Sequence, residues 1–127
     1  MSKFRSVPQS FKYAYDGVRE AILNEPNFRI HLIISIITLI AAVIFRFTKY
    51  EWLTLLFTIS FVLILELINT SLEAIVDLVS PERKNRAKVA KDVAAAAVLL
   101  AAVISIIVGV VLFSSKIIPL LQESSSI

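Results

Sequence analysis

The chain of 127 residues has no cysteine, two glycines, one histidine and one tryptophan. Without cysteine it can form no disulfide framework, no thiolate metal site and no cysteine nucleophile. A single histidine, His31, excludes a multi-histidine metal cluster within one chain. Gly17 and Gly109 stand too far apart to build a glycine-rich phosphate loop, so any phosphate must be held by cations. Charge is also scarce. Only 18% of residues are charged against 57% hydrophobic, and the mean hydropathy of +0.82 lies beyond a soluble domain of this size. The composition predicts a small, all-α integral membrane protein of one domain. No small-residue cleavage pattern precedes the first long apolar run near residue 30, so no secretion signal is expected. No nucleic-acid partner is expected either.

What is present is mostly helix. Phe4, Val7, Phe11, Tyr15, Val18 and Ile22 recur at threes and fours, with Lys12, Asp16, Arg19 and Glu20 on the other side. That pattern predicts an amphipathic helix over about 4–24, lying in the headgroup region or packed on the protein's own bundle. Three transmembrane spans are expected at about 29–47, 52–79 and 88–113, with a Ser-rich tail over 114–127. Tyr50 and Trp52 are placed as interfacial anchors after the first turn, and Pro81 breaks the second span in SPERKNR. Ala97, Ala101, Ser105 and Gly109 form a small-residue ladder that lets another helix approach closely. Three short spans enclose little on their own, so a homo-oligomer is expected.

Polar groups inside an apolar run carry the most information. Glu66, Asn69, Glu73 and Asp77 end the second span. At about 100° per residue they fall within roughly 80° of arc, on one helix face. An acidic side chain at the centre of a lipid-facing helix costs about 2.5–3.5 kcal/mol on insertion scales, and such residues are functional by default. Topology adds to this face. Lys3, Arg5, Lys12, Arg19, Arg29, Arg83, Lys84, Arg86, Lys88 and Lys91 fall on one side of the membrane, against Arg46, Lys49 and Lys116 on the other. The richer side is cytoplasmic by the positive-inside rule, which puts the N-terminus inside and the C-terminus outside. Glu25, the acidic face and Lys91-Asp92 then converge at the cytoplasmic interface.

Carboxylates without Cys or multiple His suit hard cations, and Mg²⁺ binds through one or two carboxylates plus substrate phosphates. Nearby lysines and arginines can grip phosphate oxygens. The set therefore allows phosphoryl transfer from a cytoplasmic nucleotide to a lipid hydroxyl. It equally allows a carboxylate-lined cation or proton channel, or an assembly subunit.

ELINTSLEAIVDLV (Glu66–Val79), AKVAKDVAAAAVLLAA (Ala87–Ala102) and NEPNFR (Asn24–Arg29) together resemble the prokaryotic diacylglycerol kinase family, which includes undecaprenol kinases. The resemblance covers about residues 4–113. It implies a homotrimeric, three-span, MgATP-dependent lipid kinase of the cell membrane, with one surface helix per chain and composite sites between chains. Carried onto this sequence, it makes Glu66 the catalytic base and Glu25 and Glu73 the metal-binding carboxylates. Asn69 and Asp77 become supporting residues, Lys91 the phosphate-contacting lysine and Asp92 the acid beside it. Tyr13 and Glu82-Arg83-Lys84 fall where the family contacts the nucleotide. An arginine expected early in the surface helix aligns with Ser6; Arg5 is its neighbour, about 100° away round the helix. RIHLI (Arg29–Ile33), Glu51-Trp52 and KDVAAAAVL (Lys91–Leu99) resemble the Gram-positive branch, which implies undecaprenol as the lipid, with diacylglycerol as the alternative.

Overall fold

The structure is a computed structural model and describes residues 6–82 and 84–125. Four helices follow in order: α1 (Val7–Asn24), α2 (Pro26–Ile44), α3 (Lys49–Val79) and α4 (Asn85–Ser124). The last three are long and apolar enough to cross a membrane. Among the described residues there is no strand.

Proline sets two of the three joints. Glu25 precedes Pro26, and a residue before proline is pushed out of the helical region. It takes φ −106° and ψ 103°, ends α1 as its cap, and starts α2 with Pro26 in the first turn, where no N–H is needed. The first apolar helix therefore begins a few residues earlier than the hydropathy alone suggests. Ser80, before Pro81, is likewise extended and closes α3. At the third joint the chain turns without proline or glycine. Arg46 adopts φ 52°, its N–H donates to Val43 O, and Phe47 N–H donates to Ala42 O, both at 3.1 Å. This is a Schellman closure with arginine where glycine is usual, and the Phe47 ring covers Ala42 as its apolar contact. Thr48 then caps α3: its N–H donates to Glu51 Oε2 at 2.6 Å and its Oγ1 accepts from Glu51 N–H at 3.4 Å.

Around that turn lies the densest packing. Ala42, Phe47 and Leu55 are buried, with Trp52 and Phe113 against them. The Phe47 and Phe113 rings sit 4.8 Å apart, and Lys116 Nζ lies 2.8 Å from Glu51 Oε2. Elsewhere the core is thin. On α4 the buried positions are Ala94, Val98 and Ala101, with Ser105 half-buried, whereas Ala97 of the expected ladder is exposed. A 4-3-4 stripe follows the helical period of 3.6 more closely than strict fours do, so the seam drifts off Ala97. Helix α4 also runs through most of the stretch expected as a tail, to Ser124, with Pro119 inside it.

The chain exposes 10087 Å², where a compact soluble monomer of 14.1 kDa would expose about 6,700 Å². Apolar side chains such as Ile37, Phe57, Leu99 and Val110 supply much of the excess. Such a surface needs hydrocarbon or other helices against it.

Arg46 gives a direct test of the turn. Arg46→Gly should leave the thermal midpoint in detergent nearly unchanged or raise it. Arg46→Val should destabilise by about 1–2 kcal/mol, the order of the left-handed penalty for a branched side chain. Equal stability of the Val variant would refute the Schellman assignment.

Candidate functional site

Helix α3 rises about 1.5 Å per residue, so Glu66 lies about 21 Å along the axis from Trp52, Glu73 about 32 Å and Asp77 about 38 Å. With Trp52 at one interface and roughly 30 Å of hydrocarbon beyond it, Glu66 sits about 9 Å inside the far boundary. Glu73 is near that boundary and Asp77 past it. Burial follows the same gradient: Glu66 is 3% exposed, Asn69 8%, Glu73 half-buried and Asp77 exposed.

Glu66, Asn69 and Glu73 line one cavity of about 220 Å³, walled by α2 and α4 through Asn27, His31, Ala95, Val98, Leu99 and Ala102. Asn69 Nδ2 donates to Glu73 Oε1 at 3.0 Å, one helical turn on, and fixes that carboxylate. Asn69 Oδ1 is buried without a hydrogen-bond partner, as is Thr70 Oγ1. Among the described residues no group donates a hydrogen bond to the Glu66 carboxylate. The fields of His31, Glu25 and Glu73 reach it. Glu25 does not line the cavity itself; it stands half-buried at the α1–α2 joint, beside the N-terminus of α2, where the helix dipole favours negative charge.

A second cleft, of about 520 Å³, lies further along α3 and α4, lined by Asp77, Ser80, Asn85, Lys88 and Lys91 among others. Here Lys91 Nζ meets Asp77 Oδ1 at 2.5 Å. Both side chains are substantially exposed, and pairs of that kind are worth about 0–1 kcal/mol, so an incoming anion can displace the aspartate. The expected residues thus fall into a buried acidic cavity and a cationic cleft beyond it. Others stand apart from both. Asp92 is exposed and borders neither, Glu82 is exposed on the connector, and Lys84 caps α4 over a shallower hollow with Val79 and Arg86. Tyr13 stands on α1, 53% exposed. Arg5 and Arg83 lie outside the described residues.

Two residues enter the cavity that sequence reasoning did not place there, Asn27 and His31. They are four apart on α2, and this spacing on one face at the start of an apolar helix was the available signal.

Among the described residues there is no group of three or more His, Cys, Asp or Glu that could hold a metal. The donors available are hard oxygens: two half-buried carboxylates, Glu25 and Glu73, and the unpaired amide oxygen of Asn69. That set fits Mg²⁺, which keeps waters and takes further oxygens from phosphates, better than a metal needing a full protein cage.

Residues 12–113 match the family model described as prokaryotic diacylglycerol kinase. The chain belongs to the prokaryotic diacylglycerol kinase family. It is thereby a lipid kinase by family. Among similar proteins, a diacylglycerol kinase of Synechocystis is 45% identical over 101 residues, 79% of this chain and 58% of the relative, so the chain spans well under two thirds of that protein. The undecaprenol kinase of Bacillus subtilis is 37% identical over 109 residues, covering 86% of this chain and 89% of the relative. The diacylglycerol kinase of Escherichia coli K12 is 30% identical over 115 residues, covering 88% and 92%.

A buried carboxylate without hydrogen bonds is a load on the fold. Replacing it by an apolar side chain of similar size, Glu66→Leu, should raise stability by about 1–3 kcal/mol, read as a higher thermal midpoint in detergent. A lower midpoint would mean that Glu66 holds the bundle together.

Proposed function

We propose that the protein transfers the γ-phosphoryl group of ATP to the hydroxyl of undecaprenol at the cytoplasmic face of the cell membrane, giving undecaprenyl phosphate and ADP. The observation that carries this reading is the position of Glu66: a carboxylate buried in a cavity below the membrane boundary, where a lipid hydroxyl can reach it and a soluble substrate cannot. Glu66 accepts the hydroxyl proton as the oxygen attacks the γ-phosphorus, and the bond from that phosphorus to the β–γ bridging oxygen breaks. Asn69 orients the neighbouring Glu73 through its amide. Glu25 and Glu73 hold Mg²⁺, which when bound neutralises phosphate charge and orients the transferring group. Lys91, released from Asp77, contacts the phosphates with Asp92 and Asp77 beside it. Tyr13, Glu82, Arg83 and Lys84 border the nucleotide, and Arg5 stands towards the lipid headgroup. Neither Tyr13 nor the connector lies against the acidic cavity within one chain, which supports sites completed by neighbouring chains in a homotrimer. The large apolar surface supports the same assembly. Helix α1 lies along the headgroups, with the N-terminus inside and the C-terminus outside.

Undecaprenol is favoured by the match to the Bacillus subtilis enzyme along nearly the whole of both chains, together with the RIHLI and KDVAAAAVL segments. The higher identity to the Synechocystis diacylglycerol kinase keeps diacylglycerol as a second reading.

Purified protein given MgATP should phosphorylate undecaprenol faster than diacylglycerol when the two are offered side by side; the reverse order overturns the substrate assignment. Cation flux through protein-bearing liposomes without ATP would favour a channel instead. Glu66→Gln should reduce turnover by about 10²–10⁴-fold while nucleotide binding persists. Normal turnover by that variant would remove Glu66 from the chemistry. Chelation of Mg²⁺ should abolish turnover reversibly, measured as ADP released on adding the metal back.

A further inference from the structure

A second internal cavity, of about 260 Å³, lies between α2, α3 and α4 on the apolar side of the acidic one, and His31 lines both. Its walls run from His31 to Thr38 on α2, from Val62 to Leu55 on α3 and from Ser105 to Phe113 on α4. These stretches span about 10–12 Å along the helix axes, leading away from Glu73 and towards the aromatic turn. Four hydroxyls line it. Ser35 donates to His31 O at 2.7 Å, Thr38 to Ile34 O, Thr58 to Thr54 O and Ser105 to Ala102 O, each at 2.8 Å. Each hydroxyl proton is therefore spent on the residue's own helix, and the remaining lining is almost wholly aliphatic or aromatic. Such walls offer water or a cation few free donors, and they suit hydrocarbon.

We propose that this cavity receives the first isoprene units of the lipid alcohol, threaded past His31 from a hydroxyl held at Glu66. The inference rests on the lipid-kinase reading above and adds where the chain goes. A hydroxyl at Glu66 has its phosphate donor on the boundary side, so the attached chain must leave in the opposite direction, where the cavity lies. The cavity is a single slot, and Phe113 closes it where that ring packs on Phe45 and Phe47. One unbranched tail fits this path; two acyl chains leaving one glycerol do not. His31 is then a positioning residue for the alcohol, set at the mouth between the polar and the apolar compartments.

Gly109 offers a clean test, because a side chain added there meets nothing within 4 Å and points to open space beside the slot. Gly109→Leu should raise the KM for undecaprenol about tenfold or more, as filling a hydrophobic subsite does, with the KM for MgATP and the thermal midpoint unchanged. Gly109→Ala should stay near the parent protein. An unchanged lipid KM in a stably folded Gly109→Leu would overturn the proposal. A second measurement needs no variant: undecaprenol carrying a diazirine on its second isoprene unit should label Thr58, Ser105 or Gly109 in the parent protein. Label on the outward Phe57 or Leu99 would overturn the proposal. Label position is read whether or not turnover occurs, so parent protein inactive on undecaprenol would refute the kinase reading while the labelled residues still judge the cavity.

Discussion

Burying a carboxylate inside an apolar bundle constrains everything else in this protein. Glu66 cannot face lipid, so α3 must turn its acidic face towards α2 and α4, and those helices must leave room there. The rotation of α3 fixes which residues join the cavity. Asn69 comes next to Glu73 because they are four apart on the turned face, while Asp77, one turn further, clears the apolar layer and meets Lys91. A graded site follows from one helix: a shielded proton acceptor in depth, hard oxygen donors at the boundary and cations beyond it. Phosphoryl transfer from a water-soluble donor to a membrane-bound acceptor requires that order.

The opposite end of the bundle supplies the stability that the acidic end lacks. Its closure by Arg46, the capping box of Thr48 with Glu51, the Lys116 pair and the stacked Phe47, Phe113 and Trp52 make a compact knot. The cavities lie between this knot and the charged boundary, in the loosely packed middle where Ala94, Ala101 and Gly109 leave space. Function is placed where packing is thinnest, and the aromatic end holds the helices in register around it.

Most of the fold was legible because the signals are strong and local. Apolar runs of span length, proline at Pro26 and Pro81, and one-faced acids each have a single good structural answer in a membrane. The boundary at 114 was less legible: serines and a proline suggested a tail, but α4 continues through Pro119. The ladder was also misplaced by one position, since counting strictly by fours ignores the slower drift of the helical period. The roles of Asn27 and His31 were hidden for a different reason. A lone histidine at the start of an apolar helix looks the same whether it faces headgroups or another helix.

By itself the sequence determined the helices, their membrane character, the acidic face and the family, because each depends on local composition and spacing. Tertiary structure decided what the spacing could not: that the acids divide between a buried cavity and an open cleft, that His31 joins the cavity, and that a second hollow continues from it. Those facts depend on how α2 and α4 are rotated and set against α3, and that geometry comes from side chains far apart in the chain meeting at one depth.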